Sequence, residues 1–383
     1  MEENVVREKV YTLKSNIHKL LFQLLLYGLN ECPRSNDIFS KCSCIDWKQV
    51  FALAQRQRLS GICMDAVNPL PKDKRPPSGV LMQCIANVVV LEKIYNQQKN
   101  TITNLSALFS EHGLRMVLMK GYGLSRLYPV PEHRGCGDLD VYFCGMGQYA
   151  DEIIKKQGIE VKQNEEKHSV YDYRLSQDSK FSVHVENHSS IICEQEHPSL
   201  SKVEEFLKKE LDDNVSLDAE TGCWLPSAMF NVVFLPLHFA GHFVYGGANL
   251  RQIVDYALVV KTVCQKSETD IIDWEKVKAL AVEGGYFNFL CCLNGICIDS
   301  IGIPASCVPD WPRDKAMEER ILDDVLNPGQ TVAQSLPDKI KRYICNRWKY
   351  RLVYSKESHL QGFLLRTRSW LNWKWGKKSV WKI

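Results

Sequence analysis

Apolar residues return at three- and four-residue steps from Val10 through Leu13, Ile17, Leu20 and Leu24, so the first element predicted is a helix over residues 4–29. A loop rich in Cys, Pro, Ser and Asn separates it from a second helix that opens at Ile45-Asp46-Trp47. There Asp46 is read as the N-cap, and Ile45 as one half of a hydrophobic staple with Val50. Prolines 69, 71, 76 and 77 break the chain before a long helix over residues 80–111.

Beyond His112-Gly113 the pattern changes. Residues 115–119 read as a first strand, 124–128 as a short helix, and the run from Asp138 as a second strand. A helix over 149–157, ending at Gly158, follows it. Successive side chains of a strand alternate between faces, so Asp138 and Asp140 point one way while Leu139 and Val141 point into a core. Period-two alternation recurs over 168–175 and 181–188 about the polar turn 176–179, which predicts a hairpin. In its second arm Phe181, Val183 and Val185 share one face, and His184, Glu186 and His188 the other. From Pro198 the chain reads as helical again: a charged helix over 204–211, then a long apolar stretch over 226–262. The latter carries His238 with His242, and Arg251 with Asp255, each pair one helical turn apart.

Helices on either side of a run of strands predict an α+β protein, a β-sheet core flanked by N- and C-terminal helical segments. The boundaries that follow are an N-terminal helical region over 1–111, a core over 112–197, a C-terminal helical domain over 198–338 and a tail over 339–383. One internal echo crosses these boundaries: Ile45-Asp-Trp-Lys-Gln-Val-Phe-Ala-Leu-Ala54 returns as Ile272-Asp-Trp-Glu-Lys-Val-Lys-Ala-Leu-Ala281. No longer repeat accompanies it, which favours two well-capped amphipathic helices that converged over a duplicated unit.

Composition narrows the picture only at certain points. Hydrophobic and charged fractions of 45% and 24% are those of an ordinary globular chain. The first residues, Met-Glu-Glu-Asn-Val-Val-Arg-Glu-Lys, adjoin no apolar h-region, so no secretory signal is expected. The apolar run from Leu20 to Leu29 is interrupted by Gln23 and is too short to span a bilayer. Fifteen cysteines, odd in number and without a C-x-x-C pair, point to reduced, mostly buried thiols in a cytoplasmic protein. Cys42-x-Cys44 and Cys291-Cys292 lack the second spaced pair a zinc site would need. Charge is uneven. From Lys339 to the end there are 13 Lys and Arg against one acid, Glu357, while the chain as a whole holds 48 basic and 45 acidic residues.

Two carboxylates side by side, as at Asp138 and Asp140, repel each other and call for a compensating cation. A hard cation such as Mg²⁺ takes carboxylate oxygens, usually together with substrate phosphates. The residues around the pair are more specific than the pair itself. Lys120-Gly121, Leu127-Tyr128-Pro129, Arg134 and Gly137-Asp138-Leu139-Asp140 together resemble the signature of the uncharacterised nucleotidyltransferase family, within the DNA polymerase β-like nucleotidyltransferase superfamily. The resemblance extends over roughly residues 40–290 and includes an Asp-Trp helix on each side of the core.

The resemblance implies a nucleotidyltransferase-like mixed β-sheet core and a Mg²⁺-dependent transfer of NMP from an NTP to an acceptor hydroxyl or phosphate. Two Mg²⁺ ions, or Mn²⁺, would sit on Asp138, Asp140 and a third acid from a neighbouring strand. The element Val185-Glu186-Asn187-His188 resembles the family's acid-x-His, which makes Glu186 that third acid. A Glu there departs from the usual Asp, and Asp172 is the next carboxylate to consider; Glu194 and Glu196 read as solvated. Lys120, Gly121 and Arg134 are candidates for the nucleotide's phosphates, with surface ion pairs as the plainer role for Lys120 and Arg134.

His238 and His242 match a Leu-His-x-x-x-His element of the family; they either pack within a helical core or face the triphosphate or acceptor, and further ligands for a zinc ion are not identifiable. Acceptors used across the superfamily include sugar phosphates, small metabolites, proteins and RNA. A second reading is a catalytically weak nucleotide- or partner-binding module that keeps the fold. The tail over 339–383 interleaves its charges with tryptophans 348, 370, 373, 375 and 381. That suits RNA, an anionic membrane surface with the protein peripheral to it, or packing of the rings on the acidic body.

Overall fold

The structure, a computed structural model, describes residues 16–31, 39, 42–164, 168–176, 181–192, 197–265, 271–327 and 344–358. Seven strands make one mixed sheet in the order β3-β4-β5-β2-β1-β7-β6. They are β1 (Val117–Leu118), β2 (Leu139–Tyr142), β3 (Lys162–Asn164), β4 (His168–Tyr173), β5 (Val183–His188), β6 (Val215–Leu217) and β7 (Trp224–Pro226). The central strand β2 is antiparallel to β1 and parallel to β5, and β4 and β5 form the expected hairpin. Four residues of its turn, 177–180, lie outside the described residues.

Helices pack around this sheet. Before it come α1 (Asn16–Gly28), α2 (Cys44–Arg56), α3 (Ser60–Val67) and the 34-residue α4 (Ser78–Glu111). Within it lie α5 (Tyr122–Ser125) and α6 (Gly147–Lys156). After β5 come α7 (Ser201–Asp213), then α8 (Ala228–Tyr245) and α9 (Leu250–Gln265). The last are α10 (Trp274–Gly284), α11 (Phe287–Ile296), α12 (Lys315–Leu326) and α13 (Arg347–Val353). Apolar side chains from Leu20 in α1 to Tyr354 beyond α13 form one continuous core, and a smaller core under the sheet gathers Phe109, Leu139, Val141, Phe143 and Val185. The expectation that Leu139 and Val141 face inward is met: neither has exposed surface.

Three points differ from the sequence reading. Ser43, not Asp46, caps α2. Its hydroxyl accepts from the Asp46 N–H while the Asp46 carboxylate accepts from the Ser43 N–H, a reciprocal capping box. Ile45 is 65% exposed, so no staple forms. In the echoed segment Asp273 is itself the cap, accepting from Lys276 N–H. The two Asp-Trp helices therefore start one turn apart in register.

The stretch 226–262 is broken at Gly246 and Gly247, both at positive φ, into the antiparallel pair α8 and α9. β3, β6 and β7 have no counterpart in the reading because runs of three residues leave no period to detect. The last two join the sheet beside β1 although they come from the segment assigned to the C-terminal helices.

Of the basic tail, residues 344–358 pack on the body. Tyr350 and Val353 are buried, Trp348 stacks edge-on to Phe243 at 5.4 Å, and Arg320 lies over the Trp348 ring. Tryptophans 370, 373, 375 and 381 fall outside the described residues, as do Glu194 and Glu196. All thirteen described cysteines are free thiols.

Candidate metal and nucleotide site

The loop over 129–137 delivers the chain to β2, and both helical segments hold it in place. His133 bridges Asp65 of α3 at 2.7 Å and Glu92 of α4 at 3.2 Å. Gln98 of α4 donates to the Gly137 carbonyl. From the other side, Arg134 donates through Nε and Nη2 to Asp255 of α9 at 2.7 and 2.8 Å, and Tyr128 donates to the same carboxylate at 2.7 Å. Arg134 and Asp255 are fully buried. Removing one partner of such a pair costs about 3–5 kcal/mol, because the other is left charged and dry. Two of the signature residues, Tyr128 and Arg134, thus serve first to anchor the loop.

That anchoring sets the carboxylates. Asp140 on β2 stands opposite Glu186 on the parallel strand β5, so both side chains leave the same face of the sheet. His188, two residues on, shares that face. Its Nε2 lies 3.0 Å from Asp140 Oδ1 and 3.5 Å from Glu186 Oε2. Ligand atoms of Asp140, Glu186 and His188 fall within 4.8 Å of one another, the one such group of metal-ligating side chains among the described residues. Asp138 precedes the strand, half-buried, and lines the same cleft as Asp140. The cysteine pairs and the His238–His242 pair belong to no such group.

Lys120, at the end of β1, places Nζ 3.1 Å from Asp140 Oδ1. Gly121 follows at φ +77° and ψ −111°, a conformation that side chains with a Cβ avoid. The helix it opens, α5, is only four residues long, so its N-terminus offers little aligned dipole to a phosphate. His238 and His242 of α8 pack edge to face at 4.7 Å, and His238 lines the cleft. Burial, then Lys120, pushes His238 well below its ordinary range. Desolvation, Lys120, Arg251 and Arg58 lower His242 to about 4. Both imidazoles are therefore neutral at pH 7.

The acids respond to the same charges. Burial alone would raise the Asp140 carboxyl, but Lys120 and His188 override it and hold it well below the usual carboxylate range. The His188 hydrogen bond likewise lowers Glu186. His188 is desolvated, yet the two carboxylates raise it to about 9. A protonated His188 donates to Asp140.

The residues fit a divalent cation on one structural ground. Asp140 Oδ2 is buried and has no hydrogen-bond partner among the described residues. An ionised oxygen in that state is costly unless a cation meets it. The sequence reading assembled Asp138, Asp140, Glu186, Lys120, Gly121, Arg134, His238 and His242; the fold lines the cleft with all of them except Glu186 and His242, and sets Glu186 against Asp140. Asp172, opposite His184 and paired with it at 3.0 Å, is exposed and outside the carboxylate group. His188 was legible as sharing the Glu186 face but carried no separate signal of contact with Asp140. Arg58, another cleft residue, had no sequence signal at all.

Residues 43–298 match the family profile described as uncharacterised nucleotidyltransferase, more than half of the 383-residue chain. The chain belongs to this family. A crystal structure of an antigenic nucleotidyltransferase-like protein from Paracoccidioides brasiliensis aligns with 14% identity and a TM-score of 0.32. The alignment covers 43% of this chain and 76% of that one, a likeness too remote to carry an argument. No curated protein matches the chain. In this chain Asp140 of the Asp-x-Asp run stands opposite Glu186 of the Glu-x-His run on the adjoining strand.

Proposed function

We propose that the protein is a divalent-metal-dependent nucleotidyltransferase that moves NMP from an NTP to an acceptor hydroxyl or phosphate. The observation that carries this reading is the register of Asp140 against Glu186, with one Asp140 oxygen buried and unpartnered. Asp138, Asp140 and Glu186 would hold Mg²⁺ or Mn²⁺. Bound there, the metal would neutralise charge on the reacting phosphates and on the attacking oxygen.

The chain's own residues do the rest. Lys120 orients Asp140 from one side and His188 from the other. Glu186, kept ionised by His188, takes the proton of the acceptor hydroxyl as its oxygen bonds to the α-phosphorus. The bond from the α-phosphorus to the bridging oxygen breaks, and pyrophosphate leaves. Neutral His238 offers a polar ring edge to the cleft without adding charge, and neutral His242 packs behind it.

A second reading, a binding module of low activity, draws on one feature: Lys120 and His188 already neutralise Asp140. The test is a thermal shift with Mg²⁺ or Mn²⁺ and NTP, since ligands bound only by the folded state stabilise it. Asp138→Asn with Asp140→Asn should abolish the shift in a folded protein; an unchanged shift removes the site. Glu186→Gln separates the two readings. A transferase keeps much of its NTP binding and loses turnover by orders of magnitude, whereas a binding module shows no turnover in either form.

A further inference from the structure

Among the described residues, four cations line the cleft that holds Asp138 and Asp140: Arg58, Lys120, Arg134 and Arg251. Two are committed, Lys120 to Asp140 and Arg134 to Asp255. The other two are not. Arg251 reaches no closer than 3.7 Å to Asp255, whose oxygens Arg134 already holds, and its Nε is buried without a hydrogen-bond partner among the described residues. Arg58 makes no side-chain hydrogen bond or ion pair among the described residues, and its Nη1 lies 3.6 Å from where a side chain on Gly137 would begin.

The backbone at Arg58 points the same way. It follows the C-cap of α2 at φ +57°, with Leu59 N–H closing onto Ala54 C=O at 2.8 Å. That is the helix-ending position where glycine is least strained. An arginine is held there against its conformational preference, with its head group over the cleft.

We propose that Arg58 and Arg251 form the receptor for the polyphosphate chain of the donor nucleotide. The proposal rests on the nucleotidyltransferase reading and assigns its phosphate site to helices outside the catalytic sheet. Guanidinium forks match phosphate oxygens in pairs, and two incompletely compensated forks beside a carboxylate metal site suit a strongly anionic chain. The four-residue α5 behind Gly121 leaves this task to side chains. A phosphate carried by the acceptor is the other source of the same chemistry, and the test separates the two.

The full chain is titrated in EDTA with sodium tripolyphosphate, and separately with inorganic phosphate, by calorimetry. Arg58→Gly relieves the left-handed backbone, so it should melt no lower than wild type while binding tripolyphosphate at least tenfold more weakly. Arg251→Gln should also lose at least tenfold, and Arg56→Gln, exposed at the end of the same helix, should lose nothing. No tripolyphosphate binding in wild type, or unchanged binding in both variants, overturns the proposal. So does a loss confined to inorganic phosphate. Loss of tripolyphosphate binding in a protein that transfers no nucleotide sinks the transferase and leaves the receptor standing; full transfer by both variants does the reverse.

Discussion

His188 touches both carboxylates of the site, at 3.0 and 3.5 Å, and its other ring nitrogen lies 3.3 Å from the Ser190 carbonyl. A side chain so placed would orient the carboxylates proposed to hold the metal, and loss of such groups weakens metal affinity about 10–100-fold. His188→Gln should therefore raise the Mn²⁺ concentration needed for a given thermal shift by that order at pH 7. An undiminished shift would exclude His188 from the site. Residue chemistry was partly open to view in the sequence. Alternation alone put Glu186 and His188 on one face, and the Asp-x-Asp spacing put Asp138 and Asp140 together. Whether the two faces meet depends on strand order, which no local pattern encodes.

At the scale of elements, the echoed helices α2 and α10 offer a direct comparison. Asp273 caps α10 by itself, so Asp273→Ala should cost about 1 kcal/mol of stability, read from denaturant midpoints. Asp46→Ala should cost less, because Ser43 still accepts from the backbone N–H of residue 46. Equal losses would mean the two starts are equivalent after all. The crossing of α1 and α3 is tighter. A Cβ on Gly28 would sit 2.1 Å from the Ile62 carbonyl, a backbone atom that cannot step aside. Gly28→Ala should destabilise by about 1–3 kcal/mol or more, as overpacking does; a neutral result would mean that α1 shifts freely. Because α3 also carries Asp65, which holds His133, such a shift would be felt at the loop before Asp138.

Across the whole molecule, Glu357 clasps the C-terminal segment to the body. Its carboxylate accepts from Ser199 Oγ at 2.8 Å and Tyr350 O–H at 2.9 Å, and sits 2.8 Å from His197 Nδ1. Burial raises this carboxyl, but the His197 contact, with Ser199 and Tyr350, brings it below its ordinary value. A lowered folded-state pKa stabilises above the unfolded value and is lost as pH falls through the folded one. Glu357→Gln should thus destabilise by roughly 1.5–3 kcal/mol at pH 7, and the gap to wild type should shrink on acidification from about pH 5 downward. A gap constant with pH would show that the charge plays no part. The clasp holds the described residues 344–358 on the body, and for the thirteen cations of residues 339–383 salt-sensitive binding of a polyanion is the expected outcome.

The sequence by itself determined the class of the fold and named the carboxylates of the candidate site, though not Arg58. Helical period, strand alternation and the run from Lys120 to Asp140 are local properties, set by side-chain order along a few turns or a few residues. Tertiary structure decided the rest. The parallel pairing of β2 with β5 is what sets Asp140 against Glu186 and, across 48 residues of chain, against His188, and the tertiary fold is what brings Arg58, between α2 and α3, and Arg251 of α9 to the same cleft. It also turned Arg134, read as a partner for phosphate or a surface ion pair, into the buried anchor of Asp255. A charged residue reads the same in a sequence whether paired or not; whether its charge is spent on another residue or left facing a cleft depends on what the rest of the chain packs against it.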